Sequence, residues 1–173
     1  VTEGPFYPIA PQTDKDLDLT RVEGASGRAA GKMVWVEGKV VDEAGAPLAD
    51  AVVDIWQANA AGRYAHERDP NTAPLDPNFQ GWAIVATDAE GRYRFKTIVP
   101  GAYPATASWT RPPHIHFKVG RRGYREVTTQ MFFPGEALND VDWLLKEIPE
   151  AERASVIARA ETVEGDPDTD VLL

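Results

Sequence analysis

The sequence predicts an all-β protein, an antiparallel β-sandwich followed by short C-terminal helices. Three observations carry that expectation. Short segments alternate apolar and polar residues with the period of a strand. Turn-forming clusters rich in Gly, Pro, Asn and Asp separate them. Helical spacing of apolar residues occurs only beyond Phe133.

Residues 1–31 lack sustained periodicity and read as an extended arm, with Thr2-Glu3-Gly4-Pro5-Phe6-Tyr7-Pro8 its densest part. From Met33, Val34, Val36, Gly38 and Val40 alternate with Trp35, Glu37, Lys39 and Val41, a half-buried strand. Asp42–Pro47 turns the chain, Ala51–Trp56 returns it, and Asn59–Gly62 turns it again. A long loop follows, with Asp69-Pro70 and Asp76-Pro77-Asn78. Gly81–Thr87 and Arg92–Val99 are strands joined by the tight turn Asp88-Ala89-Glu90-Gly91, and Pro100-Gly101 ends the second. His114–Val119 and Arg125–Phe133 are the next two strands. Asp140–Lys146 and Glu150–Ala160 read as helices, Pro149 opening the second, with Leu144, Leu145, Val156 and Ile157 facing the core. Val171-Leu172-Leu173 reads as the start of a further strand, and a trimmed leader before Val1 is compatible with the sequence.

The 173 residues suit one domain, 1–173, with a single substantial core. A net charge of −9 argues against nucleic acid and against a basic membrane-binding patch, and no apolar run reaches the length of a membrane span. Cysteine is absent, which excludes disulfides and thiolate chemistry, so any metal would be held by nitrogen and oxygen. That composition leaves the compartment open, with the cytoplasm favoured. An oligomer is compatible with the sequence but cannot be read from it.

Chemistry concentrates at His114-Ile115-His116. On a strand the two imidazoles project from one face and Ile115 and Phe117 from the other. This is either half of a metal site or a half-buried strand that carries two histidines. Tyr64 and Tyr103 lie in loops that can return to the same end of the sheet, and a phenolate is a hard oxygen donor suited to trivalent iron. The third histidine, His66, reads as a solvated loop residue. Periodicity alone leaves a zinc hydrolase and a ferrous two-histidine, one-carboxylate oxygenase open. Val36–Val53 also looks like a metal-free transthyretin-like or carboxypeptidase-regulatory sandwich module.

Several separate motifs narrow these alternatives. Gly62-Arg63-Tyr64, Ala73-Pro74-Leu75-Asp76-Pro77-Asn78-Phe79, Pro100-Gly101-Ala102-Tyr103-Pro104 and Arg111-Pro112-Pro113-His114-Ile115-His116-Phe117 resemble the intradiol ring-cleavage dioxygenases, most of all the protocatechuate-cleaving members. Thr2-Glu3-Gly4-Pro5, Asp54-Ile55-Trp56-Gln57-Ala58-Asn59 and Thr129-Gln130-Met131-Phe132-Phe133 are similar to the same family.

The resemblance implies a non-haem Fe(III) held by Tyr64, Tyr103, His114 and His116. It also implies cleavage of a catechol by O2 between its two hydroxylated carbons to give a muconate. Tyr103 would leave the metal when substrate binds and accept a substrate proton. Arg111 would stabilise charge on the ring and Gln130 would hydrogen-bond around the site. Gly4, Pro5 and Trp56 would join Arg111 in lining the substrate pocket. The segment from Tyr103 to Arg111 departs from the protocatechuate-type pattern, with Thr110 where tryptophan is expected, so it leaves open whether the substrate carries a carboxylate.

Overall fold

The structure is a computed structural model that describes residues 3–9, 14, 16–162 and 170–173. Its strands are β1 (Met33–Lys39), β2 (Val52–Gln57), β3 (Trp82–Ala86), β4 (Arg92–Ile98), β5 (Tyr103–Thr106), β6 (Trp109–Arg111), β7 (His114–Gly120), β8 (Val127–Phe132), β9 (Ala160–Thr162) and β10 (Asp170–Leu172). Two short helices, α1 (Trp143–Glu147) and α2 (Glu150–Arg153), lie between β8 and β9.

The strands form two four-stranded sheets, ordered β4-β1-β10-β9 and β3-β2-β7-β8, and a separate β5-β6 hairpin. Every pairing is antiparallel except that of β1 with β10. The two sheets enclose a core that includes Val34, Val36, Val53, Ile55, Phe95, Ile115, Phe117 and Leu172. Those residues alternate along their strands, so the period-two pattern puts one face of each strand into the core. Gln57 ties the sheets together, its amide donating to Ile98 O and its Oε1 accepting from Thr97 Oγ1.

The residues left on the outer face of the second sheet build the site. Trp56 pairs with Trp82 on one side and His116 on the other, and His116 pairs with Gln130. Paired residues of antiparallel strands share a face, so Trp82, Trp56, His116 and Gln130 form one row across four strands. The arm lies over part of that row, the ring of Tyr7 packing 4.9 Å from Trp56 and 6.5 Å from Trp82. The arm is pinned at two points. Tyr7 Oη donates to Asp54 Oδ2 at 2.7 Å, and Lys118 pairs with Glu3 at 2.6 Å.

Three expectations need correction. Residues 103–111 form a bulged hairpin turning at Ala107-Ser108, so Tyr103 opens a strand and stands opposite Arg111. The two helices are shorter than their apolar spacing predicts. Asp140–Lys146 splits into a 3-10 turn, Ala137–Asp140, and α1, while Glu150–Ala160 is helical only to Val156. Ile157 is extended, with φ −99° and ψ 120°, because the backbone there joins β8: Ala158 N donates to Phe132 O. Finally, Leu145 is buried but Leu144 is 36% exposed, and Val156 and Ile157 are half-buried.

Candidate functional site

Two loops deliver the tyrosines. The chain turns after β2 at Asn59, whose Oδ1 accepts from the amides of Ala61 and Arg63 and whose carbonyl accepts from Gly62 and Gly101. The last of these bonds joins the loop after β2 to the loop after β4. Gly62 has φ +76°, and a Cβ there would collide with the carbonyl of Ala102. Only glycine permits this approach, which sets Tyr64 beside Tyr103 with ring centroids 5.5 Å apart.

The histidines come from β7. His114 Nε2 lies 3.2 Å from His116 Nε2 and 3.5 Å from Tyr64 Oη. Tyr103 completes the group, its ring centroid 5.7 Å from that of His114. All four side chains are buried. The tautomer of His114 follows from its neighbours. Its Nδ1 is 2.7 Å from Pro112 O, which can only accept, so Nδ1 carries the proton and Nε2 presents its lone pair. A ring N–H fixed by a carbonyl while the other nitrogen faces a cluster of donors is the usual arrangement of a metal-binding histidine. The ring of Trp56 stacks on His116 at 4.8 Å and 11°, fixing its plane, and His116 Nδ1 is buried without a hydrogen-bond partner.

Burial governs the protonation of the group. It pushes His114 down to about 3, aided by the Arg111 charge and opposed by the bond to Pro112. His116 is also held well below the usual histidine range, by burial and then by His114 and Arg111. Tyr64 and Tyr103 are raised, chiefly by burial, with Arg111 pulling the other way in both. Neutral imidazoles are ready ligands, whereas these phenols need a cation to ionise. Among the described residues no group of three or more His, Cys, Asp or Glu side chains is placed to hold a metal. The donors that converge are two imidazoles and two phenols, a nitrogen and oxygen set that fits Fe(III) and lacks the carboxylate of the ferrous two-histidine, one-carboxylate rival.

Arg111 spans the back of the site. Its Nε donates to Asp142 Oδ2 at 3.1 Å, its Nη2 to Gln130 Oε1 at 2.8 Å, and its Nη1 lies 3.2 Å from His114 Nε2. Asp142 also caps α1, accepting from Leu145 N. A cavity of about 710 Å³ opens in front, walled by Gly4, Pro5, Phe6, Tyr103, Arg111, His116 and Gln130 among others. A wider groove of about 1200 Å³ runs along β1, β7 and β8, but none of the four donors lines it, so the chemistry rather than the size locates the site. Of the four donors, Tyr103 and His116 face the smaller cavity, while Tyr64 and His114 lie behind them.

A model of the family described as "Dioxygenase" matches residues 2–171. The chain is 46% identical over 159 residues to the protocatechuate 3,4-dioxygenase beta chain of Burkholderia cepacia, covering 90% of this chain and 67% of that one. The chain belongs to the intradiol dioxygenase family. It is also 33% identical over 148 residues to catechol 1,2-dioxygenase 2 of Acinetobacter lwoffii, covering 78% of this chain but 50% of that protein. Among solved structures it resembles the dioxygenase domain of a dioxygenase carbohydrate-binding protein fusion from Streptomyces sp. SirexAA-E. There the TM-score is 0.71 at 27% identity, over 99% of this chain and 91% of that one.

Within this intradiol chain, Gly4, Pro5, Arg111 and Gln130 all reach the cavity wall. Gly4, with φ +77°, crosses so close that a Cβ would stand 3.4 Å from His116 Cε1. Trp56 is a correction: it is wholly buried behind His116 and does not line the cavity. His66 is half-buried beside Phe6 rather than free in solvent. Sequence reasoning missed Asp142, visible only as a helix cap, and Phe6, whose ring packs 4.8 Å from Tyr64. It also missed the Asp54 carboxylate, which accepts from both Tyr7 and Trp82 Nε1.

Proposed function

We propose that this chain is a non-haem Fe(III) intradiol dioxygenase. It takes a catechol-type ring and O2, cleaves the ring between its two hydroxylated carbons, and releases a muconate derivative. The observation that carries the reading is the meeting of Tyr64, Tyr103, His114 and His116 behind a cavity that Tyr103 and His116 face. These four side chains would hold the iron, which when bound activates the catechol ring towards dioxygen.

The chain's own residues supply the rest. Tyr103 stands between the buried donors and the cavity, so its Oη is the base within reach of an incoming hydroxyl. Arg111 keeps its positive charge and offers it where negative charge gathers on the ring. Asp142 and Gln130 fix the guanidinium in that position. Trp56 keeps the plane of His116, and Gly4, Pro5 and Phe6 bring the arm across the cavity and shed water from it.

Iron titration tests the assignment. Stoichiometric Fe(III) should give visible phenolate absorption, and a catechol should shift it. His114→Ala and His116→Ala should each lose the iron and the colour. Folded, iron-loaded protein that stays colourless would overturn the proposal.

A further inference from the structure

The wall of the cavity bears on which catechol it takes, a question that rests on the reading above. Away from the four donors the cavity is lined by Pro70, Pro104, Trp109, Leu144, Ile148 and Val156. Trp109 is half-buried and stacks on Trp143 at 4.8 Å and 12°, and Trp143 is 55% exposed. Two stacked indoles and three aliphatic side chains thus line or border a hollow of about 710 Å³. That volume lies in the range that takes a ligand of drug-like size, well above the needs of a single unsubstituted ring.

The charges on the wall point the same way. Among the described residues, Arg111 and Glu147 are the only charged side chains that line the cavity. Arg111 is 3% exposed and its donors are already committed: Asp142 takes two contacts, at 3.1 and 3.4 Å, Gln130 takes a third, and Nη1 faces His114 Nε2 at 3.2 Å. Glu147 is exposed and contributes an anion. Two further cations are directed elsewhere, Lys118 to Glu3 and Glu126, and Arg153 to the carbonyls of Ile148 and Lys146. A carboxylate lying along Leu144, Ile148 and Val156 would meet an apolar surface or Glu147, because Arg111 is directed to Asp142, Gln130 and His114. Each of these disfavours a buried anion.

We propose that the site selects catechols carrying a bulky, uncharged, apolar substituent and discriminates against ring-carboxylated catechols. The substituent lies along Trp109, Leu144, Ile148 and Val156. This sets the chain apart from the relative in Burkholderia cepacia, whose name specifies protocatechuate, a carboxylated catechol.

The test compares 4-phenylcatechol with protocatechuate, which carry opposite kinds of substituent at the same ring position. Dissociation constants are read under argon from intrinsic tryptophan fluorescence, and oxygen uptake with product analysis is then run in air, with catechol as the reference. The phenyl compound should bind ~100-fold more tightly. Leu144→Arg places a cation on a part-exposed stretch of the wall and offsets Glu147, so it should narrow that ratio at least ~10-fold. Equal or tighter binding of protocatechuate, or a ratio that Leu144→Arg leaves unmoved, would overturn the inference. Failure to cleave any catechol while the binding order holds would instead count against the proposed reaction and leave the ligand class standing. Cleavage of catechol combined with a preference for protocatechuate would sink this inference alone.

Discussion

The guanidinium of Arg111 and the carboxylate of Asp142 form an ion pair at 3.1 Å in which the side chains are 4% and 0% exposed. It links the β5-β6 hairpin to α1 directly behind His114. Asp142→Asn keeps an oxygen to cap Leu145 N but removes the charge, leaving a buried guanidinium uncompensated. Loss of one partner from such a pair costs about 3–5 kcal/mol. Urea denaturation should show a loss of about that size, together with a fall in activity. A change below ~1 kcal/mol would mean that Arg111 is held by other contacts.

The arm is held over the site by Tyr7. Its Oη donates to Asp54, and burial followed by the Asp54 carboxylate pushes the phenol up to about 12. Tyr7→Phe keeps the ring against Trp56, 4.9 Å away, and deletes the bond. A hydrogen bond to a charged group contributes about 1.5–3 kcal/mol, so proteolysis within residues 3–9 should speed up by roughly tenfold or more. Unchanged cleavage would show that Lys118 and Glu3 suffice to hold the arm.

The two legible histidines and the two less legible tyrosines differ in what fixes them. His114 and His116 were readable because strand alternation is local: the same pattern that buries Ile115 and Phe117 sends both imidazoles to the other face. Tyr64 and Tyr103 meet only because Asn59 and Gly62 join loops that lie some forty residues apart in the chain. No periodicity reports that contact, and resemblance alone pointed to it. Trp56 read equally well as core or pocket, and it packs behind a pocket residue. The β5-β6 hairpin is not legible because Pro104 stands inside its first strand and the residues that follow, Ala105-Thr106-Ala107-Ser108, are small and exposed. Apolar spacing overstates the helices because Val156 and Ile157 pack where the chain rejoins β8.

Alkaline pH should weaken the fold through Tyr93, which burial pushes up to about 12. Its neutral form is favoured when folded, so its contribution is intact below the unfolded value of about 10 and is lost as pH rises from there to about 12. Chemical denaturation across that window should lose roughly 2–3 kcal/mol through Tyr93, beside the losses from the raised Tyr7, Tyr64 and Tyr103, and Tyr93→Phe should remove that share of the slope. An identical slope in the variant would place the alkaline sensitivity elsewhere.

The two tyrosines should separate in an anaerobic substrate complex. Tyr103→Phe removes the base that faces the cavity, and turnover should fall about 100-fold or more while tyrosinate absorption persists with catechol bound. Tyr64→Phe removes the phenolate behind it, so the colour of that complex should fade. If the bands responded the other way round, the two roles would be exchanged.

The position of ring cleavage tests the central claim most directly. Iron-loaded protein is given catechol in air, and the product is identified by chromatography and mass spectrometry against authentic standards. The account predicts cis,cis-muconate, from scission between the two hydroxylated carbons with uptake of one O2 per ring. A yellow muconic semialdehyde, from scission beside the hydroxyls, would contradict it.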